Sequence, residues 1–397
     1  MDLPVLFLKK REDRRLRAGH PWVYSNEVDV ARSPLTAFQP GESVEVRGHE
    51  GHPLGTAYVN PQTLISARIY SRRAGEALDR ALLERRLARA LALRERIFSR
   101  PEYRLVYGES DGLPGLVVDR YGDLLAVQMT TAGIERVRET VLSVLDDLLK
   151  PAVIVLRNDV ANRALEGLPA SVEVALGQAP ETWELEENGA RFRFSPVHGQ
   201  KTGWFWDQRL NRARLPAYVR GQQVLDVFSY DGAWGIQAAR AGATRVTCVD
   251  ASADALERVR ANAALNGVAD RLQVAQGDAF DRLKALREAG ERFDVVIVDP
   301  PAFIKRKKDF EAGLEAYQRI NRLAMRLLAP DGVLIACSCS FRLPRETLVD
   351  LLYRGARHVD RGLQILEHGH QGPDHPVHPA MPETAYLKCI VSRVFRE

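Results

Sequence analysis

From Val224 onward the chain alternates short apolar runs with longer stretches whose apolar residues recur at helical spacing. The runs Val224-Phe228, Arg245-Val249, Leu272-Ala275, Val295-Val298 and Gly332-Ala336 predict strands, and helices are expected to begin near Gly235, Ser252, Phe280 and Leu314. Strands alternating with helices are the pattern of a parallel sheet. The stretch from Phe293 to Phe303, FDVVIVDPPAF, holds a run too short for an ordinary helix and without polar alternation, so it reads as a strand buried on both faces. Pro300 and Pro301 forbid further ladder pairing. The Asp299 carboxylate is therefore expected at the carboxyl end of a central strand, where open α/β sheets place their ligands. Asp-Pro also opens ordinary turns, so the motif takes its weight from its neighbours.

The first half is patterned differently. Residues 1–72 hold short β-rich pieces (Val5-Leu8, Ser43-Arg47, Gly55-Val59, Leu64-Ile69) between turn clusters such as Pro40-Gly41-Glu42, which predicts a small β domain. A helix is expected from Gly75 to Phe98, with Leu78, Leu82, Leu87 and Leu91 near helical spacing and arginines between. Then comes a compact α+β unit, about Arg104 to Ala175, with a strand pair around Val117-Val118 and Leu124-Met129, a helix near Ile134 to Leu149 and a strand at Ala152-Leu156. Trp183 to Phe194 reads as a hairpin turning at Glu187-Asn188-Gly189.

With 397 residues the chain has room for two or three domains. No apolar run approaches a membrane span, and Met1-Asp2-Leu3-Pro4 lacks the basic-then-apolar layout of a signal peptide, so a cytoplasmic location and no membrane partner are expected. Cys248, Cys337, Cys339 and Cys389 include no C-x-x-C pair, which indicates neither a disulfide framework nor a metal site. Net charge is +4, but residues 1–100 carry 18 Lys and Arg against 12 Asp and Glu, so the front end is basic and the remainder slightly acidic. That asymmetry points to a polyanion met by the N-terminal part, although arginine-rich helices are often only solvated faces. Lys9 to Ser25 adds six cations to Trp22 and Tyr24, a combination of phosphate-seeking charge and stacking rings that suits structured RNA; Trp22 would serve equally as core.

Candidate chemistry gathers at the strand ends. The first strand of the alternating part runs into Phe228-Ser229-Tyr230-Asp231-Gly232, a glycine-containing loop that opens a helix, and the second ends in Asp250, about 20 residues on, where an acid binds ribose hydroxyls. The loop lacks G-x-G-x-x-G. With no pyrophosphate to cradle, a nucleoside cofactor fits better, and S-adenosylmethionine is the candidate. Asp278, after the third strand, adds an acid at the height of an adenine edge. Each acid alone is also a plausible helix cap. After the fifth strand stands Ala336-Cys337-Ser338-Cys339-Ser340. A strand cysteine is more often a small buried hydrophobe than a nucleophile. Cys339, however, falls at the carboxyl end of the strand next to the one delivering Asp299. A thiolate there can attack C6 of a pyrimidine and make C5 nucleophilic enough to accept a methyl group.

Taken together, RRLRAGHPWVYSNE, SDGLPGLVVDRYGD, GQKTGWFWDQRLNR, DVFSYDGAWG, DPPAF and SCS make the whole chain resemble the bacterial 23S ribosomal RNA 5-methylcytosine methyltransferases of the large-subunit methyltransferase I type. The resemblance implies a PUA-like RNA-binding domain (1–72), a helix with a small α+β connecting domain (73–180), and a hairpin with a class I, Rossmann-like methyltransferase domain (181–397). Its sheet would have seven strands, the last near Tyr386 to Val394 and antiparallel. S-adenosylmethionine is the implied cofactor and Cys339 the implied nucleophile. Lys201, Thr202, Gly203, Asp207 and Arg209 would shape the pocket mouth, and Phe228, Tyr230 and Gly232 would lie beside the methionine part. Asp250 would hold ribose, Asp278 would face adenine, and Asp299 with Pro300 would face methyl donor and base. The implied partner is 23S ribosomal RNA or a large-subunit precursor, met by Arg14, Arg15, Arg17 and Trp22, by Phe303 as a wall for the base, and by Lys305 and Lys307 as a phosphate clamp. Self-association into a homodimer is left open.

One departure stands out. Other RNA 5-methylcytosine enzymes carry a second cysteine directly after the strand-four proline, and here that place holds Pro301. The nearest rival function is methylation of an exocyclic amine, for which Cys339 would be core. A rival of another class is a non-catalytic RNA-binding assembly factor.

Overall fold

The computed structural model describes residues 3–396, so the Met1-Asp2 part of the leader reading lies outside the described residues. Two compact units are present: Met1–Trp183 with Ser195–Trp206 and Pro373–Thr384, and Glu184–Phe194 with Asp207–Gly372 and Ala385–Glu397. Among the described residues no helix is long and apolar enough to cross a membrane.

The first unit holds two five-stranded sheets. In the N-terminal one, Val5–Phe7 lies at one edge, followed by Glu42–Arg47, Pro53–Val59, Ile65–Ser71 and Trp22–Tyr24. Its core is the inward alternation of Leu6, Leu8, Val23, Val44, Val46, Ala57 and Val59. Trp22–Tyr24 was not foreseen: three residues beside a basic run carry too little alternation, and tertiary pairing with Ile65–Ser71 makes the strand. The second sheet orders its strands as they occur in sequence, from Glu102–Tyr107 to Val172–Leu176. The helix expected from Gly75 is Arg80–Ile97, because the Asp79 side chain caps it by accepting from the Leu82 N–H at 2.9 Å. The helix expected at Ile134 to Leu149 is split into Ala132–Arg136 and Arg138–Leu149 where Val137 leaves helical dihedrals.

The second unit contains the alternating part. We label its sheet strands β1 (Gln223–Val227), β2 (Arg245–Asp250), β3 (Leu272–Gln276), β4 (Phe293–Val298), β5 (Leu328–Ser338), β6 (Gly362–Gly369) and β7 (Lys388–Phe395). The order across the sheet is β3-β2-β1-β4-β5-β7-β6. β1 to β5 pair in parallel, and β7 runs antiparallel to both β5 and β6. The helices are α1 (Ala233–Arg240), α2 (Ala253–Leu265), α3 (Ala279–Glu288), α4 (Phe310–Leu327) and α5 (Arg345–His358). Val296, Val298, Leu334 and Ala336 pack with Ile320, Ala324 and Met325 of α4 in a fully buried core. β6 escaped the sequence reading because it is an edge strand in which half-buried Leu363 and Ile365 alternate with exposed Gln364, Leu366 and His368, too short an alternation to mark it. The strand order reverses between β1 and β4, the switch point at which doubly wound sheets open a crevice at their carboxyl ends.

Candidate active site

Phe228 and Tyr230 follow β1 with φ of 67° and 47°, a left-handed backbone that non-glycine residues adopt only at a cost of roughly 1–3 kcal/mol each. Gly232 (φ 84°) then opens α1, and a Cβ there would press on Ile236 and Val259 at 3.0–3.2 Å. The tight turn is secured from β2. Asp250 accepts the Tyr230 N–H through Oδ2 and the Ser252 N–H through Oδ1, both at 2.9 Å. Each oxygen keeps a further lone pair for a hydroxyl, and the side chain is partly exposed. Asp278 is exposed and caps α3, its Oδ1 accepting from Phe280 at 2.9 Å and Asp281 at 3.3 Å. Acids with spare acceptors at the ends of β2 and β3, together with the strained glycine-opened loop after β1, suit the hydroxyls and amine of a nucleoside.

Asp299 ends β4 as expected, and two residues passed over in the sequence hold it. Gln208 Nε2 donates to both carboxylate oxygens at 3.0 Å, and Trp234 Nε1 donates to Oδ2 at 3.0 Å. Gln208 is fixed in turn by Asn211 Nδ2, which donates to its Oε1 at 2.7 Å. Burial nevertheless raises the Asp299 pKa to about 6, because these donors and the Arg212 charge only partly offset desolvation and the nearby Asp207. Asp207 is buried and takes the Tyr386 hydroxyl on Oδ2. Arg209 approaches Glu187 at 4.0 Å, while Arg212 forks onto the same carboxylate at 2.5 and 2.8 Å.

β5 delivers two cysteines to unlike places. Cys337 is buried opposite Cys389 in the β5–β7 register, and burial pushes its thiol far above the usual range, which leaves it inert. Cys339, past the strand end, is partly exposed, with Sγ 3.9 Å from the carbonyl oxygen of the buried Pro300. The turn carrying it is locked. Tyr317 of α4 shares hydrogen bonds of 2.9 Å with the hydroxyls of both Ser338 and Ser340, and Ser340 Oγ also accepts the Ile304 N–H at 3.2 Å. The DPPAF loop and the SCS turn are thus tied to one another. Phe303 packs against Tyr317 with ring centres 4.8 Å apart and planes tilted by 57°, and its ring centre lies 6.3 Å from those of both Phe228 and Phe280, while Lys305 and Lys307 are exposed beyond it. Asp299, Pro300, Phe303 and Cys339 are therefore neighbours. Ile304 and Tyr317, whose partners are the Ser338 and Ser340 hydroxyls, and Lys388, whose ammonium donates to the Ser340 carbonyl, were missed as well.

The remaining candidates belong to the first unit. Thr202 is buried with its hydroxyl on Asp119, Gly203 is buried, and the Lys201 ammonium lies 4.8 Å from the Phe205 ring centre. Arg15 pairs with Glu27 and Arg17 with Asp13, each at 2.6 Å, while Arg14 is exposed. Trp22 is partly buried, its Nε1 donating to Glu109 at 2.7 Å.

The family model of S-adenosylmethionine-dependent methyltransferases matches residues 163–393, and that of PUA-like domains matches 6–72. Over 98% of this chain and of theirs, it is 38% identical to the ribosomal RNA large subunit methyltransferase I of Shewanella amazonensis and 37% identical to that of Shewanella denitrificans. The chain belongs to the large-subunit methyltransferase I family. A solved methyltransferase structure complexed with SAH has the same fold, with a TM-score of 0.85 at 21% identity, over 99% of this chain and 100% of that one. The family's cofactor is S-adenosylmethionine, and the loop after β1 with the acids at β2 and β3 is a donor set that fits it.

Proposed function

We propose that this large-subunit methyltransferase I relative methylates C5 of one cytosine in 23S ribosomal RNA through a transient covalent bond from Cys339. The relatives' name supports a ribosomal RNA substrate, and the PUA-like fold of residues 6–72 supports RNA contact by the N-terminal part, where we assign Arg14, Arg15, Arg17 and Trp22. The observation that carries the carbon chemistry is Cys339 itself: partly exposed, just past β5, with its sulfur 3.9 Å from the Pro300 carbonyl. An amine methyltransferase needs no thiol there.

Bound by the β1 loop, Asp250 and Asp278, S-adenosylmethionine supplies an electrophilic methyl group. Phe228, Tyr230 and Gly232 would flank its methionine part, and Asp207 and Arg209 would complete the binding residues. Cys339 Sγ adds to C6 of the flipped base, and the ring's electron pair moves toward C5 and N3. Asp299, with its pKa near 6, can hold a proton against the pyrimidine edge as negative charge develops on N3. Phe303 walls the ring, and Lys305 and Lys307 meet phosphates.

The test is to incubate the protein and S-adenosylmethionine with ribosomal RNA containing 5-fluorocytidine and run a denaturing gel. Fluorine cannot leave as the C5 proton does, so the adduct persists. A protein-RNA band in wild type that disappears in Cys339→Ala is expected. Methyl transfer to ordinary RNA without any such band would overturn the reading and favour amine methylation.

A further inference from the structure

Lys388 opens β7 directly opposite Ser338, the last residue of β5. It is only 5% exposed. Lysines are almost never so buried unless paired with an anion. Among the described residues Lys388 forms no ion pair, and its ammonium donates to a neutral acceptor, the Ser340 carbonyl, at 2.6 Å. That carbonyl belongs to the residue after Cys339. A buried cation facing no carboxylate lacks its counterion. The acidic group beside it is the Cys339 thiol: the two interact electrostatically, Cys339 favouring the charged lysine, while the Arg345 cation opposes it and burial dominates, lowering the lysine's pKa to about 8. Arg345 is turned to another carbonyl, donating to Gly369 at 3.0 Å, and Tyr317 is a further titratable group that Cys339 acts on. Asp299 acts on the neighbouring Cys337.

Building on the covalent reading above, we propose that Lys388 is the positioning residue of the nucleophile: its ammonium stabilises Cys339 as thiolate and, through the Ser340 carbonyl, fixes the turn that aims it. The Sγ–H bond breaks with its electron pair left on sulfur, the proton passes to solvent water, and Lys388 stays protonated. The sulfur pair then forms the Sγ–C6 bond. Removing the cation leaves the thiol protonated at neutral pH without touching the cofactor residues.

The experiment measures the pH dependence of iodoacetamide alkylation at Cys339, followed by peptide mass in the full-length protein, for wild type, Lys388→Met and Lys388→Arg. The wild-type midpoint is expected below the ordinary thiol value of about 8.5. Lys388→Met should move it up and slow alkylation at pH 7 about 10-fold, one unit in midpoint. Lys388→Arg, keeping the charge, should restore most of the rate. In methyl transfer, kcat should fall by a similar factor in Lys388→Met with KM for S-adenosylmethionine unchanged. A wild-type midpoint at or above the ordinary value overturns the proposal even if Lys388→Met does not fold, as does the same midpoint in all three proteins. Failure of the covalent reading registers elsewhere, as absence of the 5-fluorocytidine band in wild type.

Discussion

The basic N-terminal surface and the strand ends of the second unit's sheet treat their carboxylates in opposite ways. In the N-terminal unit Asp13 lies between Arg17, whose Nε is at 2.6 Å, and the His52 ring, whose Nε2 is at 3.1 Å. Burial tends to raise its pKa, but the Arg17 hydrogen bond and charge outweigh it and hold the carboxyl below its usual value. At the carboxyl ends of β1 and β4 in the second unit, burial prevails and raises Asp226 to about 7 and Asp231 and Asp299 to about 6. Asp231 shows this even with Arg258 at 2.8 Å. The first arrangement is what a solvated basic surface does with its charges. The second accumulates reluctant anions around the carboxyl ends of β1 and β4, where perturbed groups mark chemistry more often than stability.

The difference has a pH signature. Asp226 in β1 accepts the Gly235 N–H on Oδ2 at 2.9 Å, and its buried Oδ1 has no hydrogen-bond partner, which suits a protonated acid. Its folded pKa lies above the unfolded value, so its stabilising contribution is complete below about pH 4 and is lost as pH rises to about 7. That loss is roughly 2–4 kcal/mol, an order-of-magnitude figure for a shift of this size at a buried site. Asp226→Asn keeps an acceptor for Gly235 and removes the charge. The expected outcome is a calorimetric Tm that matches wild type near pH 4 and exceeds it at pH 7.5. Parallel Tm profiles for the two proteins across this window would refute the raised pKa.

A smaller effect is expected at Asp250. Asp250→Ala removes the acceptor of two backbone N–H groups along with the proposed ribose ligand, so S-adenosylmethionine affinity in calorimetric titration should fall roughly 10- to 100-fold, at about 1.4 kcal/mol per tenfold. Asp250→Asn keeps one acceptor oxygen and should fall in between. Unchanged affinity in both would restrict Asp250 to shaping the loop.

Legibility followed the same divide. The β-branched run ending at Asp299 announced a buried strand because double burial removes polar alternation, and the strand-helix period of the second unit announced a parallel sheet. The strands at Trp22 and Gly362 stayed hidden, since pairing by distant neighbours rather than local pattern creates them. At the candidate site, residue types with intrinsic chemistry (Asp299, Asp250, Cys339) could be proposed one by one. Gln208, Trp234 and Lys388 could not, because a glutamine, a tryptophan and a lysine acquire their roles from the groups they face once the chain has folded. Gln208 lay inside the aromatic and charged stretch already singled out, but its charged neighbours Asp207 and Arg209 drew the assignment.

The smallest effects belong to the basic surface, and they test whether its paired cations are spent. Arg17 is exposed yet bonded to Asp13, whereas Arg14 is exposed and has no acid partner among the described residues. If both face RNA, Arg14→Ala should weaken binding about equally for all sequences and reduce the salt slope by about one phosphate contact. Arg17→Ala should do less, because the arginine must first leave an exposed pair that is itself worth no more than about 1 kcal/mol. Asp13→Asn should act in the opposite direction, releasing Arg17 and strengthening RNA binding by a few-fold, within the same range of about 1 kcal/mol. Its effect on stability has the reverse sign to that of Asp226: the Asp13 contribution is present above pH 4 and disappears below it as the carboxyl protonates. Electrophoretic mobility shifts at several salt concentrations give the three slopes. Equal losses for Arg14→Ala and Arg17→Ala, with no gain for Asp13→Asn, would mean that the ion pair does not restrain Arg17, and the electrostatic contrast between the two units would then lie in the buried acids alone.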